Sequence, residues 1–424
     1  MKKYDLIVVG GGFAGVGATI SAARKGLSVL LVEKSNCLGG AASNSFVIPF
    51  GGFFSGSENS KGEHKLYSAG VFREIIAELE KFGGKSAIQG EWFNEEYLKL
   101  VLNRMVLDSG AEILFHARLF ESGTENGTVK SIKVATKSGV TELSADYYVD
   151  ATGDADLAAF SGFPYQLGRE EDELCQGMTL CFRVCNVDTE LFKKERDKLS
   201  SLYHKYWVEN KLNDAFGWIL AFPYVVSDGV LHFNSTRVVK RCPVDPFELT
   251  KAEIEAREMV FAVFDFLKKN SKVFEKAILT STAPEIGVRE SRKIRGEYIL
   301  TGDDLVKLKR FPDTIAVGNF DIDIHNPSGT GNSHRFFEKH EYYDIPYRSL
   351  IPTESKNLLV AGRCISVTHE AQAAIRVMPI VCCLGEAAGL ATAIACADKR
   401  SVKDIDVDKL RNDIRLNGGN VGLD

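Results

Sequence analysis

The feature that most constrains this chain stands at its start. Tyr4 to Val9 (YDLIVV) is a short, nearly continuous apolar run with several β-branched residues, the pattern of a strand buried on both faces of a parallel sheet. Gly10-Gly11-Gly12-Phe13-Ala14-Gly15 follows at once, then an alanine-rich helical stretch from Val16 to Arg24 that Gly26 ends. Ser28 to Val32 reads as a second parallel strand with Glu33 at its tip. Strand, glycine turn, helix, strand and acid in this order make a dinucleotide-binding unit. Gly10 permits the tight turn, Gly12 lets the backbone approach a pyrophosphate, and Gly15 allows close helix–strand packing. The helix start offers open N–H groups and a partial positive charge to phosphates. Glu33 stands where a carboxylate accepts hydrogen bonds from a ribose diol, and it would repel a 2′-phosphate. A glycine turn serving packing alone would not require an acid at that distance.

NAD and FAD share this unit, so later segments must discriminate. Beyond Glu33 comes Lys34-Ser35-Asn36-Cys37-Leu38-Gly39-Gly40-Ala41-Ala42-Ser43. A second glycine pair so soon after the ribose acid points to backbone passing close to an extended cofactor. Asp146 to Asp150 (DYYVD) reads as a strand leading into Ala151-Thr152-Gly153-Asp154, a sharp turn before a short helix. Asn357 to Ala361 (NLLVA) is another buried strand, ending at Gly362-Arg363. Val377-Met378-Pro379 then opens a long apolar helix, with Pro379 in the first turn, where a missing N–H costs nothing. Amides at that start could face the flavin N1 and C2=O edge.

Taken in order, GGGFAG, LLVEK, GGAAS, DATGD and LLVAGRCISVTHEAQAAIRVMPIVCCLGEAAG resemble the FAD-dependent oxidoreductase family, which is distantly related to the fumarate reductase and succinate dehydrogenase flavoproteins. Ile286-Gly287-Val288-Arg289-Glu290-Ser291-Arg292 and YDIPYRSLIP (Tyr343 to Pro352) are also similar to that family. The resemblance spans nearly the whole chain. It implies an α/β protein: a Rossmann-like, glutathione-reductase-like FAD-binding domain with an inserted α+β substrate or cap domain, and FAD between them. Carried over by position, Gly10, Gly12, Phe13, Ala14, Gly15, Glu33, Lys34, Gly40, Ala41, Ser43, Leu119, Ala151, Gly153, Gly362, Arg363 and Met378 lie along the cofactor, with Leu119 beside the adenine.

Motifs near residues 10, 150 and 360 make the FAD domain discontinuous. Residues 1–161 and 345–424 are assigned to it, and 162–344 to the cap. Apolar residues recur at helical spacing over Lys65–Lys81 and Asn94–Asp108, and Val129–Leu143 alternates as a small β-meander. In the cap, strands are expected over Met178–Val184, Trp218–Val226 and Ile315–Ile324, with helices near Thr189–Lys211 and Leu249–Lys269. No second glycine unit with the required strand and helix is present, so electrons are expected from a substrate, a diffusible donor or a redox partner protein.

Composition narrows the class further. Over 424 residues, 52 Lys and Arg against 57 Asp and Glu give a net charge of −5, which argues against a nucleic-acid partner. Nine cysteines in a chain of this length are not a disulfide scaffold, and reduced thiols with a cytoplasmic setting fit them. Lys2-Lys3 and the apolar run after it imitate a signal peptide, but Asp5 and the glycines interrupt it. Met378 to Ala397 contains Glu386 and two glycines, so it is expected to be a core helix and not a membrane span. The eight histidines show no metal-ligand spacing.

The flavin would carry the redox chemistry, and the chain would bind, orient and tune it. Three side chains are candidates for catalysis. Arg289, with Arg292 on the far side of Glu290, could grip a substrate carboxylate, or either arginine could form an internal pair with Glu290. His369, beside Glu370 and just before the flavin helix, is either a general acid–base or a hydrogen-bonded structural residue. His325, in the run His325-Asn326-Pro327-Ser328-Gly329, could supply a polar group from a loop, against a plain turn. Arg348 and Arg376 could meet flavin, substrate or neighbouring carboxylates. Cys37 has no closely spaced cysteine partner, which favours a structural thiol over a redox-active one. The expected activity is hydride transfer between flavin N5 and a small organic substrate, with an anion as one reading of it. The alternative is a flavin electron-relay subunit that needs a partner protein.

Overall fold

The computed structural model describes residues 3–58, 64–83, 87–210, 217–224, 228–329, 331–338 and 340–422. Its centre is a five-stranded sheet of β1 (Tyr4–Val9), β2 (Val29–Val32), β3 (Glu112–Leu114), β4 (Ala145–Asp150) and β5 (Leu358–Val360), in the spatial order β3-β2-β1-β4-β5. Every neighbouring pair is parallel. Strands β1 and β2 are apolar along both faces because both are covered. Leu6, Val8, Val29 and Leu31 pack against helices, and Tyr4, Ile7, Val9, Leu30 and Val32 pack against Leu119, Val129, Ile132 and Val134 of an antiparallel meander. The chain reverses direction across the sheet between β1 and β4, and ligands of such sheets sit beyond the strand C-termini at this switch point.

Helix α1 (Phe13–Arg24) follows β1, and α2 (Val71–Gly83) and α3 (Glu95–Asp108) lie between β2 and β3. Asn94 caps α3 by accepting the Glu96 N–H at 2.9 Å. Near the C-terminus a short helix, α4 (His369–Ile375), leads into α5 (Met378–Asp398). Helix α5 has a mean hydropathy of 1.9 over its most apolar window and would be long enough to cross a bilayer, yet most of that window is buried inside the protein. It packs along α1 through small residues. A Cβ on Gly385 would lie 1.9 Å from the Ala14 carbonyl oxygen, and one on Gly389 would lie 2.3 Å from that of Ala18. The two backbones therefore touch, and α5 is a core element.

Two long excursions leave the sheet. Between β3 and β4 runs an antiparallel meander of strands Arg118–Glu125, Thr128–Thr136 and Gly139–Leu143. Between β4 and β5 lies a four-stranded antiparallel sheet in the order Ala221–Pro223, Leu231–Phe233, Phe182–Cys185, Ile278–Thr282. Helices Thr189–Glu209 and Pro246–Asn270 supply Phe192, Leu199, Tyr203, Val260, Val263 and Leu267 to the apolar core on one face of this cap sheet. Alternation turns Arg183 the other way, toward Glu95 on α3, with Nη1 and Nη2 donating at 2.5 and 2.7 Å.

The strand expected over Ile315–Ile324 is two strands, Thr314–Gly318 and Ile322–His325, with residues 319–321 turning between them. That expected over Trp218–Val226 is confined to Ala221–Pro223, and Val225 and Val226 lie outside the described residues. The limits 162 and 344 do not coincide with the edges of the apolar clusters. The second cluster runs from Met178 to Ile286 with Phe46 added, whereas Leu300, Ile315, Tyr343 and Leu350 pack in the first.

Candidate functional site

Residue by residue, the turn after β1 is built from backbone. Gly10 has φ +106°, and a Cβ there would meet the Ala151 carbonyl oxygen at 2.3 Å. Gly15 would place a Cβ 1.8 Å from the Gly10 oxygen. Neither position admits another residue without moving the strand ends. Gly12 precedes α1 without any side-chain cap, and the first bond of the helix runs from Val16 N–H to Gly12 O at 2.9 Å. The amides of Phe13, Ala14 and Gly15 therefore stand open at the positive end of the helix. The Phe13 side chain is buried against Phe50 and Phe72, so Phe13 can serve a cofactor through its backbone.

Glu33 is buried at the tip of β2. Its carboxylate accepts Gly11 N–H at 2.5 Å and Ser35 N–H at 2.8 Å, which fixes both oxygens while leaving lone pairs for a diol. Gly39 N–H donates to Gly11 O at 2.8 Å, and a Cβ on Gly40 would come within 2.9 Å of the Gly12 Cα. The second glycine pair is thus bonded onto the first turn. Ala41 is exposed beside it, and Ser43 Oγ donates to Leu38 O at 2.7 Å. Lys34 pairs with Glu285 of the cap at 3.1 Å. Leu119 is buried two residues after Ala117, whose N–H donates to Glu33 O at 3.1 Å.

Asp150, fully buried at the end of β4, accepts Thr152 N–H at 3.0 Å and Ala158 N–H at 2.9 Å. Burial pushes its pKa up to about 6. These bonds shape the turn through Ala151 and Gly153. Arg363, just past β5, donates to Asp154 Oδ1 at 2.8 Å and to Ser291 Oγ at 3.2 Å. Gly362 has φ +116° and faces Ala14. Helix α5 begins at Met378 with no side-chain cap at Val377, and its first bond is Val381 N–H to Val377 O at 3.0 Å, so the Met378 and Ile380 amides are open. Three distant stretches therefore meet around one groove: the turns after β1 and β4, and the Gly362 and Met378 region. Open amides, a fixed carboxylate and glycines where a Cβ would collide fit an extended dinucleotide.

The side-chain candidates divide into two groups. Glu290 is fully buried and bonded to His369 Nδ1 at 2.8 Å, to Lys293 Nζ at 2.5 Å and to Gln176 N–H at 3.1 Å. Despite burial, these donors hold its carboxyl below the usual range. His369 is thereby oriented by Glu290, and it lines a cavity of about 20 Å³ with Gln166, Lys293 and Val367. Of the two readings of Arg289 and Arg292, the internal pair with Glu290 is not formed among the described residues, because Lys293 fills that role. Arg292 instead donates to Asp154 O at 3.0 Å and Asp156 Oδ1 at 2.8 Å. Arg348 pairs with Asp313 at 2.9 Å, so of its three alternatives it meets a neighbouring carboxylate.

The second group gathers Arg289, Arg376 and His325 with two residues that the sequence reading missed, Arg237 and Asp323. Arg289 donates from Nη1 to Gly177 O at 2.6 Å and Thr179 Oγ1 at 2.7 Å. Burial, then the Arg376 and Arg237 guanidiniums, pull its pKa down to about 9, so it stays charged at neutral pH. Arg237 donates from Nη2 to His325 Nδ1 at 2.8 Å and Asn332 Oδ1 at 2.7 Å. Arg376, between α4 and α5, reaches Asp323 at 3.5 Å. His325 Nε2 donates to Asp323 at 3.0 Å. Burial, then Arg289, push its pKa down to about 3, so the ring is neutral with Nδ1 accepting from Arg237. Alternation in Asp321-Ile322-Asp323-Ile324-His325 puts the acids and the imidazole on one face, a period-2 signal present in the sequence. Nothing local marks Arg237.

Cys37 is buried, its S–H donating to Asn44 Oδ1 at 3.3 Å, and burial raises its pKa. Among the described residues, no group of three or more His, Cys, Asp and Glu is placed to hold a metal.

The family described as FAD dependent oxidoreductase matches residues 5–414. A digeranylgeranylglycerophospholipid reductase from Thermoplasma volcanium is 23% identical over 204 residues, covering 45% of this chain and 49% of the relative. The protein of the same description from Thermoplasma acidophilum is 25% identical over 201 residues, covering 45% and 49%. The chain spans about half the length of the curated relatives it matches. Among solved structures, a geranylgeranyl bacteriochlorophyll reductase-like protein from Thermoplasma acidophilum is 13% identical with a TM-score of 0.46, covering 98% of this chain and 83% of that one. A flavin-dependent brominase is 13% identical with a TM-score of 0.47, covering 98% and 84%.

Proposed function

The chain belongs to the FAD-dependent oxidoreductase family, and from that premise we propose that it exchanges a hydride between its FAD and a small organic anion. FAD, when bound, supplies the two-electron centre. The residues of the chain then divide the remaining work. The Phe13 and Ala14 amides neutralise a diphosphate, Glu33 accepts from a ribose, and the Met378 and Ile380 amides receive negative charge at the flavin edge. Arg289 and Arg376 orient the substrate anion, and the cap sheet excludes water from them.

The observation that carries this reading is the gathering of Arg237, Arg289 and Arg376 about Asp323 at the junction leading into α5, the other carboxylate acting on Arg376, Glu290, being held by Lys293 and His369. Three guanidiniums in a low-dielectric enclosure favour a negative ligand, and a planar carboxylate matches their geometry. The test is an anaerobic screen of FAD-loaded protein against organic acids and uncharged analogues, following the visible absorbance of the flavin. At least one acid should bleach it, and Arg289→Gln should slow that reduction about 100-fold with unchanged flavin content. Equal reduction by an uncharged analogue, unaffected by Arg289→Gln, would remove the anion from the proposal.

A further inference from the structure

Every carboxylate that acts on the arginine cluster already has its donors. Asp323 takes His325 Nε2 at 3.0 Å, His334 Nε2 at 3.3 Å, Asn332 Nδ2 at 3.4 Å and Arg376 Nη2 at 3.5 Å. Glu290, which acts on Arg376, is held by His369, Lys293 and the Gln176 amide. Asp321 accepts Phe337 N–H at 3.1 Å, and the charges it feels are His334 and Asp323, not the arginines. The neutral groups are committed as well. His325 Nδ1 accepts from Arg237 at 2.8 Å, and Thr179 Oγ1 receives Arg289 at 2.7 Å. Gln176 Oε1 accepts His325 N–H at 3.2 Å, while its amide nitrogen donates to Gln372 Oε1 at 2.9 Å.

An anion entering here meets donors, but an ammonium beside that anion meets a positive field and acceptors that are already used. Resting on the anion reading above, we propose that this site discriminates against amino acids and takes a carboxylate whose neighbouring carbon bears a hydroxyl, a carbonyl or only hydrogen. The selection is by repulsion. An α-ammonium placed near Arg289 is pushed away by Arg237 and Arg376, and Asp323, the carboxylate acting on Arg289, already has four donors. A hydroxyl or carbonyl in the same place carries no charge and accepts from a guanidinium.

Three pairs matched in size separate the cases when titrated into FAD-loaded protein, with flavin spectral perturbation and calorimetry as readouts: lactate and alanine, malate and aspartate, 2-hydroxyglutarate and glutamate. In the pair that binds best, the hydroxy acid should bind at least about tenfold more tightly than the amino acid. Arg289→Gln, which keeps its flavin and so reports its own folding, should weaken the hydroxy acid and narrow the gap. An amino acid that binds as well as its hydroxy partner, and is weakened by Arg289→Gln, would overturn the discrimination while leaving the anion site standing. Failure of all six acids to bind would overturn both.

Discussion

The cofactor groove and the arginine cluster are opposite kinds of site. The groove is made mainly of backbone, with the Glu33 carboxylate added: the amides of Phe13, Ala14, Met378 and Ile380, and glycines whose missing Cβ atoms let turns touch. The cluster is made of side chains from six stretches, around residues 179, 237, 289, 323, 332 and 376. Backbone sites need a local conformation, so consecutive residues encode them. Side-chain sites need only that the fold bring distant positions together, so no single stretch has to announce them. Substitutions should divide the same way, with damage in the groove showing as lost fold and flavin, and damage in the cluster showing as lost ligand.

The largest effect is expected from Gly15→Val. The new side chain cannot coexist with the Gly10 carbonyl 1.8 Å from its Cβ, and a clash of backbone with a branched side chain is among the few changes that cost more than about 4 kcal/mol. Purified protein should be colourless, with a collapsed unfolding midpoint. Yellow protein of normal stability would break the contrast, because it would mean that the turn is not tight.

Next comes Lys293→Met, which leaves Glu290 buried with His369 as its one remaining side-chain partner. Loss of one member of a buried ion pair costs about 3–5 kcal/mol, to be read as a lower denaturant midpoint with flavin retained. Loss of flavin at unchanged stability would show that this network serves the groove.

The third prediction concerns pH. Glu386 on α5 accepts Val71 N–H at 3.0 Å, and burial raises its pKa to about 7 from 4.5. The folded protein therefore holds this proton more tightly than the unfolded chain does. Stability falls as pH rises through the interval from about 4.5 to about 7 and is level outside it, by about 3 kcal/mol for this group. Glu386→Gln keeps an acceptor for Val71 and should gain stability at pH 8 without change near pH 4. A variant equally stable relative to the parent at both pH values would contradict the raised pKa.

Lys34→Ala should do least. Its ion pair with Glu285 is half exposed, and such pairs contribute under about 1 kcal/mol. A large drop in FAD affinity on this change would sharpen the picture in the other direction, giving Lys34 a role in the groove that its present partner hides.

The same division explains what could be read from the chain. Tyr4–Val9, the glycine turn, Glu33, Asp150, Leu358–Val360 and the helix opening at Met378 form regular elements whose period and punctuation are local, and they sit close to the expected limits. Gly385 and Gly389 were visible only as interruptions of an apolar run, although they are what seats α5 on α1. The Glu290 network depends on which of two adjacent cations turns inward, and Lys293 does so because Arg292 is drawn to Asp154 and Asp156. Asp323 was within reach, since alternation pairs it with His325. Arg237 was not, because its role exists only after the cap strands fold over the 322–335 hairpin.

The most direct test of the account is a crystal structure of the FAD-loaded protein. The diphosphate should lie within hydrogen-bond distance of the Phe13 and Ala14 amides, with Glu33 on the ribose and the isoalloxazine between the Met378 end of α5 and Arg289. Density for the cofactor elsewhere, or a flavin ring separated from Arg289 by the cap sheet, would contradict it.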